Sequence, residues 1–279
     1  MRKPIKRPAR QSRHTESKGT LIWIGSGALV LTVLCAVVWA AMATSGGTRF
    51  DEATLCDTKG PTAVTVVLID ATDSITAVQK AAIANRLERV VSQLSANERL
   101  AIYEIAPGRN LLEPTFSMCR PVSPDEVSEL TGNKRVANER FEERFKPAVA
   151  EALASLLTRQ SAEQSPIMEA VQAASVRSLQ ANDLRPSNDA APKRLVVVSD
   201  MLQNGPAGSH YGGAPDFSIY RDSPQYDRFV SDLTGVDVVV LYLRRDDGAA
   251  TQGRDHIDFW SRWFAAQGGT LSNAIPIEG

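Results

Sequence analysis

Metal-binding and nucleophilic signatures are sparse in this chain. It has three cysteines and three histidines in 279 residues. No Cys-x-x-Cys pair occurs, and His14, His210 and His256 lie far apart, so the chain carries no zinc-ligand spacing of thiolates or imidazoles. Neither Gly-x-Ser-x-Gly nor Gly-x-x-x-x-Gly-Lys appears, which removes a nucleophile elbow and a phosphate-cradling loop. There is no internal repeat and no long low-complexity segment. Positive charge is short outside the N-terminus. The first 20 residues hold seven basic side chains and one acid, leaving 24 bases and 31 acids, a net of −7, for the rest. A folded surface that binds duplex nucleic acid is therefore not expected, because the phosphate backbone demands positive charge.

Charge is missing altogether between Lys18 and Arg49, and 21–43 is an apolar run of 23 residues. As a helix rising about 1.5 Å per residue it is roughly 34 Å long, enough for a hydrocarbon core of about 30 Å. Basic residues flank only its N-terminal side, which predicts a cytoplasmic tail (1–20), a single-pass signal anchor (21–43) in the inner or plasma membrane, and an extracytoplasmic remainder. The rival is a cleaved signal peptide ending at Ala41-Met42-Ala43, although the apolar run exceeds the usual 7–15 residues. The basic tail reads as topogenic charge that also attracts lipid headgroups. Cys35 falls within the span. Cys56 and Cys119 fall outside it, where an oxidising compartment makes the pair a candidate disulfide.

After a linker (44–61), the remaining residues carry enough of the 43% hydrophobic content for one core. The run Val64–Ile69 has five aliphatic residues in six and suits a strand buried on both faces. An amphipathic helix follows from Ile75 to Leu94, capped by Asp73 or Ser74. Arg99–Ile105 and Asn110–Met118 read as strands, and the short turn at Pro107-Gly108 argues for an antiparallel hairpin, because a parallel crossover needs about a dozen residues or more. Residues 121–138 look irregular. Phe141 to Leu157 is helical in period, with Pro147 as an awkward interior residue, and Ser165-Pro166 opens a helix to Leu179. Further strands are expected at Arg194–Ser199, Val236–Leu243 and Thr270–Ile275. Helices are expected near Tyr226–Leu233 and His256–Ala266, with Gly205–Asp222 as a surface loop. Phe259, Trp260, Trp263 and Phe264 read as a helix face packed on the sheet. This alternation predicts a doubly wound α/β domain over 62–279, with a six-stranded, mostly parallel sheet and one antiparallel edge strand.

The first strand ends in Asp70-Ala-Thr72-Asp-Ser74, a carboxylate and two hydroxyls at alternate positions. Ligands in open α/β sheets bind at the carboxyl ends of strands, and hard oxygen donors there suit a hard cation such as Mg²⁺ or Mn²⁺. Ser165 opens a helix at a loop, and Asp200 closes the strand ending at Ser199. In order and placement these residues resemble a von Willebrand factor type A domain with its metal-ion-dependent adhesion site, over about 62–277. The family pattern Asp-x-Ser-x-Ser is matched with Thr72 for the first serine. Ser165 stands for the family's loop threonine, and Ser199-Asp200 for its Ser-Asp-Gly, with Met201 where glycine is common. Together with the signal anchor, the resemblance is to membrane-anchored bacterial proteins of this type. It implies a metal site at Asp70, Thr72, Ser74, Ser165 and Asp200, and a partner that completes the metal shell with an acidic side chain.

The blander alternative is that Asp70, Asp73 and Asp200 only cap turns and helices. A phosphatase-like hydrolase using Asp70 is a further alternative, but Asp-x-Asp chemistry lacks its second acid because position 72 is threonine. A metal-free scaffold in an envelope or conjugative-transfer assembly is the third. The leading expectation is a binding module and not an enzyme.

Overall fold

The computed structural model describes residues 32–37, 39, 50–72, 74–106, 113–128, 132–157, 164–184, 191–213, 215–246, 248 and 250–279. The chain divides into two compact units, 1–48 and 49–279. In the first, residues 32–37 and 39 are helical and exposed, and Cys35 is a free thiol. Among the described residues no helix is long and apolar enough to cross a membrane. Most of the expected span 21–43, all of the tail 1–20, and the linker before residue 50 lie outside the described residues.

The second unit is built on a six-stranded sheet in the order β3-β2-β1-β4-β7-β8. Its strands are β1 (Ala63–Asp70), β2 (Glu98–Ile105), β3 (Phe116–Cys119), β4 (Lys193–Ser199), β7 (Val236–Leu243) and β8 (Thr270–Ile277). All pair in parallel except β2 with β3, which is antiparallel at the edge. Every residue of β1 is buried, as the two-sided apolar run predicts. Val64, Val66 and Leu68 belong to one core cluster, and Val67 and Ile69 to the other. The period of two along the strand thus feeds two layers of helices.

One layer holds α4 (Ile167–Ala174) and α7 (Arg254–Ala266). There Phe259, Trp260, Trp263 and Phe264 are at most 1% exposed, so the aromatic set is core, as its spacing indicates. The other layer holds α1 (Ala77–Ser92) and α3 (Lys146–Leu157). Helix α1 starts later than Asp73 or Ser74 would place it. Thr76 is its N-cap, accepting from the Gln79 N–H, while the Gln79 side chain accepts from the Thr76 N–H. Both orphan donors are satisfied by that reciprocal pair. Asp73 lies outside the described residues.

Other boundaries differ from expectation for local reasons. Of the expected strand Asn110–Met118, residues 110–112 lie outside the described residues; β3 itself begins at Phe116, two residues after Pro114, which cannot donate to a ladder. The segment 121–138 is not wholly irregular: α2 (Lys134–Asn138) forms under an Asn133 cap. It continues through a π-helical turn, Glu139–Phe145, into α3. The Lys146 N–H reaches back five residues to the Phe141 carbonyl. This widening stands directly before Pro147, whose missing N–H breaks the normal ladder. Helix α4 likewise ends in a π-helical turn, Ser175–Leu179. The expected loop 205–222 contains a two-stranded hairpin, β5 (Asn204–Gly205) with β6 (Gly208–Ser209), and a short helix, α5 (Phe217–Arg221). Helix α6 is only Pro224–Arg228.

The Cys56–Cys119 disulfide is formed. It ties the segment before β1 to the edge strand β3, where the Cys119 N–H also donates to the Thr54 carbonyl at 2.8 Å.

Candidate functional site

Strands β1 and β4 run side by side, so their carboxyl ends place Asp70 and Ser199-Asp200 at one edge of the sheet. Loop 164–166 reaches the same point. The Asn204 N–H of the β5–β6 hairpin donates to the Ser165 carbonyl at 2.9 Å. That hairpin is itself pinned by Glu169 of α4, which accepts from the Gln203 side-chain amide at 3.0 Å and the Ala207 N–H at 2.8 Å.

Asp70 is the centre of the arrangement. Its Oδ1 accepts from the Thr72 hydroxyl at 2.5 Å and the Thr72 N–H at 3.1 Å. Its Oδ2 accepts from the hydroxyls of Ser165 and Ser199, each at 2.7 Å. Burial pushes the Asp70 carboxyl above the usual carboxylate range, and the three hydroxyls and one N–H oppose that shift. A carboxylate can only accept, so each hydroxyl spends its proton on Asp70 and turns its lone pairs elsewhere.

Asp200 is 2% exposed. Its Oδ1 accepts from the Leu202 N–H at 2.8 Å, and its Oδ2 meets Arg245 Nε at 3.2 Å. Arg245 follows the carboxyl end of β7 and also donates through Nη1 to the Ser74 carbonyl at 2.6 Å. Ser74 is exposed and joins the site by this main-chain route. The structure therefore gathers Asp70, Thr72 and Ser165 directly, brings in Asp200 through its neighbour Ser199, and links Ser74 and Asp200 through Arg245.

Three further residues build the site beyond the five expected ligands. Ser199 sits two residues after Val197 on the same strand, and that register aims its hydroxyl at Asp70. Arg245 stands just past a strand end, the place where ligand-facing residues gather, but an arginine belongs to no cation-binding pattern. Gln252 is buried. Its amide donates to the Asp200 carbonyl at 3.0 Å and the Leu243 carbonyl at 2.7 Å, while its oxygen accepts from the Arg245 N–H at 2.8 Å. Met201, in the position where glycine is common, adopts φ 61° with its side chain 1% exposed. That left-handed backbone is costly for a residue with a Cβ. The turn is held from below, where the Trp260 indole N–H donates to the Met201 carbonyl at 3.0 Å.

The donor set of hydroxyls and carboxylates fits a hard divalent cation. Among the described residues no group of three or more His, Cys, Asp or Glu side chains could hold a metal. No family model matches the chain, and no curated protein does. Among solved structures, it is similar to the conserved hypothetical protein BatB from Bacteroides thetaiotaomicron, at 13% identity and a TM-score of 0.34, over 78% of this chain and 91% of that one. It is similar to the same degree, 13% and 0.34, to an aerotolerance-related membrane protein from Bacteroides fragilis NCTC 9343 with multiple mutations to serines, over 77% and 91%. At such values the reading of the fold rests on this chain's own strand order.

Proposed function

We propose that this chain is a membrane-anchored, extracytoplasmic binding module of the von Willebrand factor type A kind. It engages a protein partner through a Mg²⁺ or Mn²⁺ ion. The observation that carries the reading is the convergence of three loops, distant in sequence, on the Asp70 carboxylate. Thr72, Ser165 and Asp200 are the residues that would hold the ion, with Ser74 at the rim and Asp70 orienting the hydroxyls from behind. The ion would supply a Lewis-acidic position for an acidic side chain of the partner. Asp70 is only 4% exposed, and both its oxygens are occupied by donors. That supports binding over hydrolysis, because a nucleophile needs an accessible lone pair. The Cys56–Cys119 bond supports an oxidising compartment.

One observation favours the metal-free scaffold as a second reading: Asp200 already has a cationic partner in Arg245. A thermal-shift titration of the purified full chain separates the two. Mg²⁺ or Mn²⁺ at a hundred times its Kd is expected to stabilise by about 2.7 kcal/mol, on the order of 5 °C for a domain this size. Asp70→Ala and the near-isosteric Asp70→Asn are expected to abolish the rise. No rise with either ion sinks the cation-dependent reading. Pull-down with and without chelator then reads the partner.

A further inference from the structure

We propose that Arg245 is a tethered cation that closes the Asp200 side of this site, so that a divalent ion and the Arg245 guanidinium compete for one carboxylate. The inference rests on the cation-dependent reading above and adds its regulation. The two carboxylates of the site are served differently. Among the described residues Asp70 is met by three hydroxyls and an N–H, and by no cation. Asp200, buried as deeply, is met by a guanidinium at 3.2 Å. A buried carboxylate without a counter-charge is costly, and the Arg245 guanidinium lowers that cost for Asp200.

The guanidinium is delivered, not merely near. Gln252 fixes the Arg245 main chain to the ends of β4 and β7, and the fork bridges Asp200 to the Ser74 carbonyl. It thereby spans the two loops that flank the hydroxyl cluster. The pair is asymmetric in its freedom to move. The Arg245 side chain is 16% exposed and Asp200 2%, so the arginine can swing towards solvent while the carboxylate cannot. A divalent ion that takes Asp200 must displace Arg245 or sit within a few ångströms of its positive charge, and either weakens binding. The arrangement makes ion affinity conditional on where Arg245 lies, a coupling between two cations that is reciprocal by linkage.

Isothermal titration of MnCl₂ into the purified full chain tests this in the wild type, Arg245→Gln, Arg245→Lys and Asp70→Asn. Melting without Mn²⁺ establishes that each is folded. Arg245→Gln is expected to bind Mn²⁺ at least about tenfold tighter than wild type, because the competing charge is gone. Arg245→Lys should fall between them, since a lysine keeps the charge but lacks the fork that spans both acceptors. If Arg245→Gln binds no tighter than wild type while Asp70→Asn loses binding, the tethered-cation proposal is overturned and the cation-dependent module stands. If neither wild type nor Arg245→Gln binds Mn²⁺, both fall. Should Arg245→Gln not fold, Arg245→Lys decides: tighter binding than wild type supports competition, and equal or weaker binding overturns it.

Discussion

As pH falls from 7 towards 4, the folded chain is expected to lose stability with a limiting slope of about 2.7 kcal/mol per pH unit, the value for two protons taken up on unfolding. The source is a buried pair of imidazoles beneath the site. His210 Nδ1 lies 3.1 Å from His256 Nε2, and His256 Nδ1 lies 2.6 Å from the Tyr242 hydroxyl. The Trp260 indole N–H, which can only donate, also faces His256 Nε2 at 3.2 Å. That leaves Nε2 bare, places the His256 proton on Nδ1, and makes His210 the donor between the rings. A second proton on His256 would point at the indole N–H. Desolvation lowers His210 to about 3, with the charge of His256 adding to it, and desolvation lowers His256 to about 4. Both rings titrate near 6.5 once unfolded. The unfolded chain therefore binds protons that the folded chain refuses, and the loss runs from about pH 6.5 down to those depressed values. Its full extent is on the order of several kcal/mol.

Asp70 runs the other way, since a carboxyl raised by burial gains folded stability on protonation, but it is one group against two. Urea denaturation at half-unit steps from pH 7.5 to pH 4.5 checks the slope. His256→Gln, which retains a donor and an acceptor, should flatten it by about half. Equal stability at pH 7 and pH 5 in the wild type would refute the account.

Much of this architecture is legible in the sequence because burial writes it plainly. Val64–Ile69 has no polar face, which suits a central parallel strand, and the ten residues between β2 and β3 are too few for a parallel crossover, which favours the antiparallel edge. Asp70, Thr72 and Ser165 are legible for a different reason: oxygen side chains at strand ends and helix starts have few other uses than caps and ligands. The rest depends on tertiary placement. Ser199 reads as the residue before Asp200 in a Ser-Asp pattern, and only register aims its hydroxyl at Asp70. Arg245 reads as a surface base in Arg244-Arg245-Asp246-Asp247, and only Gln252, seven residues on, turns it inward. His210 and His256 are 46 positions apart and look like strays by spacing. Pro147 reads as an awkward residue inside a helix, but the i→i−5 bonding of the turn before it is a solution that periodicity does not encode.

Replacing Cys56 and Cys119 together by serine is expected to cost about 4 kcal/mol, the loop-closure contribution for a cross-link spanning the 63-residue separation of these cysteines. At 2–4 °C per kcal/mol for a domain this size, the melting temperature should fall on the order of 10 °C. The same double variant tests how local the functional site is. Cys119 pairs in register with Arg99, at the start of β2, whereas Asp70 pairs with Ile105, at its end. The bond thus lies at the amino edge of the parallel strands and the hydroxyl cluster at the carboxyl edge. Strand β1 connects the two and is buried along its whole length, so loosening residues 50–60 has no direct route to Thr72, Ser165 or Ser199. The Asp70-dependent response to Mn²⁺ should survive in the variant at a temperature where it is still folded. A loss of under about 1 kcal/mol would show that the unfolded chain is already constrained at that end. Abolition of the Mn²⁺ response in a folded Cys56→Ser/Cys119→Ser protein would show that the two edges of the sheet are coupled.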